Sequence, residues 1–224
     1  MKTLVLQFHG AWSWLRDFAA GLSVRRDSAP LDSFDRVDHF VATRSALITQ
    51  KKLYGYLQER MGLSYPKMFA DEHYAESIRI ASMHVFAASL ADMAVHAVAH
   101  IGAAGGLEHA ENRRMATVFY RNGIAANASR LTDSHNPEAW YEAFETRLSE
   151  TLWNNIAAGV SAFTESPKAL VRWAPISDDY KELDRDIVEN SIRFAWNEVL
   201  TDFRKRLDAS GVVGDWNARA SSED

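Results

Sequence analysis

The sequence predicts an all-α protein: a bundle of six or seven helices whose neighbours are mostly antiparallel. Three observations carry this. Apolar residues recur at helical spacing almost everywhere, with no convincing set of alternating strands. Helix-opening residues (Asn136-Pro137, Ser166-Pro167) alternate with helix-ending ones (Gly62, Gly105-Gly106). The connections between these segments are short, which sets successive helices side by side.

Taken in order, residues 1–26 read as an amphipathic helix. Leu4, Phe8, Ala11, Trp12, Leu15, Phe18, Ala19 and Leu22 form one apolar stripe, with Lys2, His9, Ser13, Arg16 and Asp17 opposite and Arg25-Arg26 following. A long helix is expected near 33–61. Asp32 serves as its N-cap, Asp35 lies at the positive end of its dipole, and Gly62 stops it. Tyr65-Pro66 breaks the chain, and a second long helix near 69–104 ends at Gly105-Gly106. A shorter helix over about 107–130 is weakened by Gly123, and Asn136-Pro137 opens another that extends to about Phe163. Ser166-Pro167 starts a short helix ending near Trp173. Pro175 breaks it, and Ser177 caps a third long helix near 177–207, acidic at its start and basic at its end as the helix dipole prefers. The remaining residues, 210–224, are polar and contain Gly and Ser, so a flexible tail is expected. The organisation is thus an N-terminal amphipathic helix (1–26), a helical bundle domain (27–209) and a polar tail (210–224).

Composition narrows the function classes. The chain has 224 residues, a net charge of -5 and no cysteine. Without cysteine there are no disulfides, thiolate metal sites or cysteine nucleophiles, and the acidic balance argues against a nucleic-acid partner. The most apolar stretch, Ile80 to Ile101, contains Asp92, His84, His96 and His100, so no transmembrane span is expected. The short run Leu4 to Phe8 lacks a cleavage site and does not read as a secretory signal. A cytoplasmic location, with association at a membrane surface as an option, is the expectation.

The most distinctive side-chain pattern is a ladder. Asp92, His96 and His100 stand four apart, so on a helix they fall at about 0°, 40° and 80° on one face. Asp92 can then accept a hydrogen bond from His96, and the two imidazoles can jointly face a ligand or a zinc, iron or manganese ion. The sequence names no cofactor. A metal site needs further ligands, and neither a Glu-x-x-His pair nor a His-Glu-x-x-His helix is present. The competing reading is a hydrogen-bonded polar seam inside the core.

The stripe formed by Phe8, Trp12, Leu15, Phe18 and Leu22 suits a partner groove, an anionic membrane surface or the bundle's own core. Within it, Leu4-Val5-Leu6-Gln7-Phe8-His9-Gly10-Ala11-Trp12-Ser13-Trp14 resembles the first core strand and His-Gly loop of the α/β-hydrolases. That resemblance covers about eleven residues and implies a loop that helps form an oxyanion hole. The family's nucleophile elbow has no counterpart: Gly159-Val160-Ser161-Ala162-Phe163 lacks the second glycine and lies in a helical pattern. A hydrolase or esterase is therefore disfavoured.

Leu183, Ile187, Phe194 and Val199 set an apolar spacing in the last long helix that Asn190 and Ser191 interrupt, as a buried polar pair fixing helix register does. The acidic run from Asp178 to Glu189 spreads around that helix as a solvated surface. The expected function is a non-enzymatic helical adaptor or regulatory scaffold that docks on a protein partner or membrane surface. The alternative is a ligand- or metal-binding helical protein, open to being an enzyme, that uses Asp92, His96 and His100.

Overall fold

The computed structural model describes residues 28–221. The segment 1–26, with Phe8, Trp12, Leu15, Phe18, Leu22 and the His-Gly stretch, lies outside the described residues. The described chain is all-α. Its helices are α1 (Phe34–Met61), α2 (Tyr65–Phe69), α3 (Glu72–Gly105), α4 (His109–Ala125), α5 (Pro137–Glu150), α6 (Trp153–Ala157), α7 (Glu165–Trp173), α8 (Asp178–Arg206) and α9 (Ala209–Ala220). Among the described residues no strand forms, and extended pairing is confined to a bridge between Leu31 and Leu207.

Several helix ends lie where local chemistry places them, with two corrections: Ser33 rather than Asp32 holds the N-cap position of α1, without a side-chain cap, and Tyr65-Pro66 opens the short helix α2 instead of breaking the chain. Gly62 (φ 51°) and Gly106 (φ 74°) take positive φ at the ends of α1 and α3, a region that glycine enters without strain. The Asp71 carboxylate accepts the Tyr74 N–H at 2.9 Å to cap α3, and Asn136 accepts the Ala139 N–H at 3.2 Å to cap α5.

Helix α3 is the axis of the core and packs against α1, α2, α4, α5, α6, α7 and α9. Its alanines let these neighbours approach closely, and Leu90, Met93, Ala94, Ala97, Val98 and Ile101 are fully buried. The helix is long and apolar enough to cross a membrane, but 89% of its most apolar window is buried in protein. Gly123 of α4, which reads in sequence as a weak point, is a position of close approach. A Cβ there would lie 2.5 Å from Leu90 Cδ2.

Three further expectations are corrected. The helix opened by Asn136 stops at Glu150 instead of reaching Phe163, because the chain must turn to bury Trp153, Ala162 and Phe163. The segment expected as a flexible tail contains helix α9. The Asp208 carboxylate accepts the Gly211 N–H at its start, and Val212 and Trp216 are buried. Trp216 stacks on Phe34 at 5.3 Å, its indole N–H donates to Glu111 at 2.8 Å, and Asp215 accepts the Phe34 N–H at the start of α1. The last helix is also rotated from the expected face. Leu183, Ile187 and Phe194 face outward, while Val188, Ile192, Trp196, Val199 and Phe203 are buried.

Candidate functional site

Asp92 is completely buried, and its contacts decide how the ladder is built. Its carboxylate accepts the Glu165 N–H at 3.1 Å and the Ser166 N–H at 2.7 Å, the first N–H groups of α7. Arg147 of α5 stands 2.9 Å from Asp92 Oδ1 and donates through its other nitrogen to the Ala162 carbonyl at 2.5 Å. The Trp196 indole N–H of α8 donates to Ser166 Oγ at 3.1 Å. One carboxylate thus ties α3 to α5 and α7, and Ser166 carries the tie on to α8. Burial pushes the Asp92 carboxyl above its ordinary range, opposed by Arg147 and the α7 hydrogen bonds.

His96 and His100 lie beside this tie, with ring centroids 4.3 Å apart. His96 is packed between Phe163 and Phe203, at 5.5 and 5.9 Å. Burial, then His100 and Arg204, push the His96 imidazole down to about 3, and burial and Arg204 lower His100 as well. His96 is therefore neutral, and its Nε2 is buried with no hydrogen-bond partner among the described residues. Asp92 directs its hydrogen bonds to α7 rather than to His96. Among the described residues, no three His, Asp or Glu side chains are grouped to hold a metal ion.

A second histidine cluster escaped the sequence reading. His84 of α3 stacks on Trp173 of α7, 3.4 Å between centroids and nearly parallel, with Trp140 edge-on at 5.1 Å and His135 at 5.4 Å. His135 Nδ1 accepts the Thr132 N–H at 2.9 Å, so its Nε2 is the donor to the Ile80 carbonyl at 3.3 Å. Burial, then His135 and Arg172, push His84 down to about 4. No spacing rule could have found this cluster, because its members come from three separated parts of the chain.

The remaining feature is the surface of α8. Tyr180, Leu183, Ile187 and Phe194 are 50%, 73%, 74% and 77% exposed. Their spacing confines them to an arc of about 60° on one side of the helix. Beside Ile187 runs a cleft of about 590 Å³ between α1 and α8, lined by Lys51, Lys52, Gly55, Tyr56, Glu59 and Ser191 among others. Its floor is pinned where Asp184 accepts from both Arg60 and the Tyr56 hydroxyl. Lys52 donates to Ser191 at 2.8 Å, so Ser191 serves the cleft wall, while Asn190 is exposed on the surface instead of fixing register in the core. Ser161 stands on an exposed loop, where its Oγ accepts the Phe163 N–H at 3.2 Å. No family model, curated protein or solved structure matches the chain.

Proposed function

We propose that this protein is a non-enzymatic helical adaptor whose docking surface is the outer face of α8. The carrying observation is the line of Tyr180, Leu183, Ile187 and Phe194, half to three-quarters exposed. Scattered surface apolar residues need no explanation, but four aligned over 14 residues, about 21 Å of helix, mark a contact face. Gly55 and the adjoining cleft supply the concave side that an incoming amphipathic helix requires. The polar clusters of the core support the same reading, since Asp92 already accepts two α7 N–H groups and pairs with the Arg147 guanidinium in holding the helices together.

The flanks of the stripe carry both signs of charge. Asp179, Glu182 and Asp186 are exposed on the same helix as Arg185 and Arg193, and Lys51 and Lys52 line the adjoining cleft, a mixed polar rim that suits a protein surface. A photo-crosslinking side chain placed at Ile187 of the intact protein, compared with one at Asn197, tests this in the native cell. A discrete crosslinked species is expected from position 187 alone. It should be lost with Leu183→Glu and Phe194→Glu, whose exposed positions keep stability within about 0.5 kcal/mol of the parent. Equal patterns at 187 and 197 would remove the proposal.

A second reading retains one observation in its favour, the partnerless buried Nε2 of His96 beside His100. Elemental analysis of untagged protein, with thermal melts after adding zinc, manganese or iron, separates it from the adaptor reading.

A further inference from the structure

We infer that the partner of the α8 face is a second copy of this chain, packed antiparallel about a two-fold axis that passes Ile187. The inference rests on reading that face as a docking surface, and it names the occupant. Two properties of the face converge on self-pairing.

The first is that the row is symmetric about its own centre. Tyr180 and Phe194 stand seven residues either side of Ile187, close to two helical turns or about 10 Å each way, so the three lie almost on one line. A copy turned end for end about Ile187 sets Ile187 on Ile187, and Tyr180 on Phe194 twice. Side chains that are 74%, 50% and 77% exposed are thereby removed from water. Leu183 comes over Ser191 of the copy, on the rim of the cleft. The contact ends at Phe194, because the position opposite Asn197 is Ser177, which precedes the first turn of the copy's α8.

The second is charge. Counted from Ile187, Arg193 lies six residues on and Glu182 five residues back, both on the same flank of the row. End-for-end pairing therefore brings Arg193 of each copy beside Glu182 of the other. Arg193 is half exposed and uses two N–H groups within its own helix, on Glu189 and Asn190, which leaves donors for a carboxylate of the copy. On the cleft side, Lys52 is level with Ser191 and Arg60 with Asp184, so Lys52 of one copy comes level with Glu59 of the other. Asp186 opposes the pairing, since it falls beside its own copy near the axis. A parallel pairing instead crowds the acidic starts of both helices, with Asp178 and Asp179, at one end and aligns their dipoles. One helix face per copy is a smaller contact than the about 800 Å² per partner of a standard interface, so a weak, reversible dimer is expected.

Sedimentation equilibrium of the full chain over about 1 to 200 µM reads the association directly, with a monomer–dimer Kd of about 10–100 µM expected. Leu183→Glu should abolish the dimer. Arg193→Glu should weaken it about tenfold, adding Glu182→Arg should bring it back to within about threefold, and Asp186→Asn should tighten it about twofold. The chain has no cysteine, so disulfides report the orientation cleanly. Tyr180→Cys chains mixed with Phe194→Cys chains should link under mild oxidation about tenfold faster than either variant alone, whose two copies of the cysteine stand about 21 Å apart. Far-UV circular dichroism verifies the fold of each variant. Equal rates in the mixture and the single variants would overturn the inference, as would a dimer indifferent to Leu183→Glu and to the charge exchange. A chain that stays monomeric throughout overturns it too. If the photo-crosslink at position 187 persists in that case, the docking surface stands with a different protein on it. Loss of that crosslink as well removes both readings.

Discussion

Replacing Asp92 by asparagine keeps the side chain's shape and removes its charge. The carboxylate accepts two backbone N–H groups from the start of α7, at 3.1 and 2.7 Å, and faces Arg147 at 2.9 Å. An amide offers one oxygen and one NH2, so one of the two α7 donors meets another donor. Leaving that buried N–H unsatisfied costs about 1–3 kcal/mol. Losing negative charge at the positive end of α7 costs about 0.3–1 kcal/mol more. Arg147 is 18% exposed, so water recovers part of its lost pairing. Against these losses, the neutral amide is cheaper to bury than a carboxylate, the same imbalance that raises the Asp92 carboxyl. The net expectation is a loss of about 2–3 kcal/mol for Asp92→Asn. Urea unfolding followed by circular dichroism and tryptophan fluorescence measures it, with coincident transitions verifying two-state behaviour. Asp92→Asn, Arg147→Met and the double variant complete a thermodynamic cycle, with a coupling of at least about 1 kcal/mol expected for groups in one network. A loss below about 0.5 kcal/mol with strict additivity would refute the claim that this carboxylate holds α3, α5 and α7 together.

Two further outcomes follow from the same geometry. His96 is held neutral in the fold, down to about 3, by burial and by His100 and Arg204. Between pH 6.5 and about 3 the unfolded chain binds a proton here that the fold excludes, so stability is full above pH 6.5 and falls on acidification. His96 accounts for a loss of about 2 kcal/mol by pH 5, and His96→Phe should remove that share of the slope in urea melts taken at pH 7, 6 and 5, leaving the part due to His84 and His100, which burial also lowers. Trp216→Ala should cost about 3–5 kcal/mol in the same melts, since it opens a cavity beside Phe34 and breaks the bond to Glu111. A frayed tail would show less than about 0.5 kcal/mol.

Much of the helix layout was legible from local chemistry. Gly62 and Gly106 end helices for reasons carried by single residues, and the Asn136-Pro137 start is set within four residues. The C-terminal helix was missed although two signals were present, an Asp208 cap and the Val212–Trp216 pair four apart. Gly211, Gly214 and the serines outweighed them in a reading by composition. The ladder was legible as one face of α3, but not as a structural tie. Asp92 and His96 share that face, yet the groups that occupy Asp92 lie 55 to 74 positions further along the chain.

Sequence by itself determined the class of the fold, the central place of α3 and the polar face it carries. Helical period, capping and the scarcity of charge between Ile80 and Leu107 are local properties, readable wherever the chain lies. Tertiary structure alone decided which of two apolar rows of α8 entered the core. Leu183, Ile187 and Phe194 make as good a stripe as Val188, Ile192 and Trp196 on a lone helix. The choice was made by neighbours: Trp196 finds Ser166, Phe203 packs against His96, and Asp184 meets Arg60 and Tyr56. A buried polar atom needs a partner that only another helix supplies, and those partners turned the other row outward.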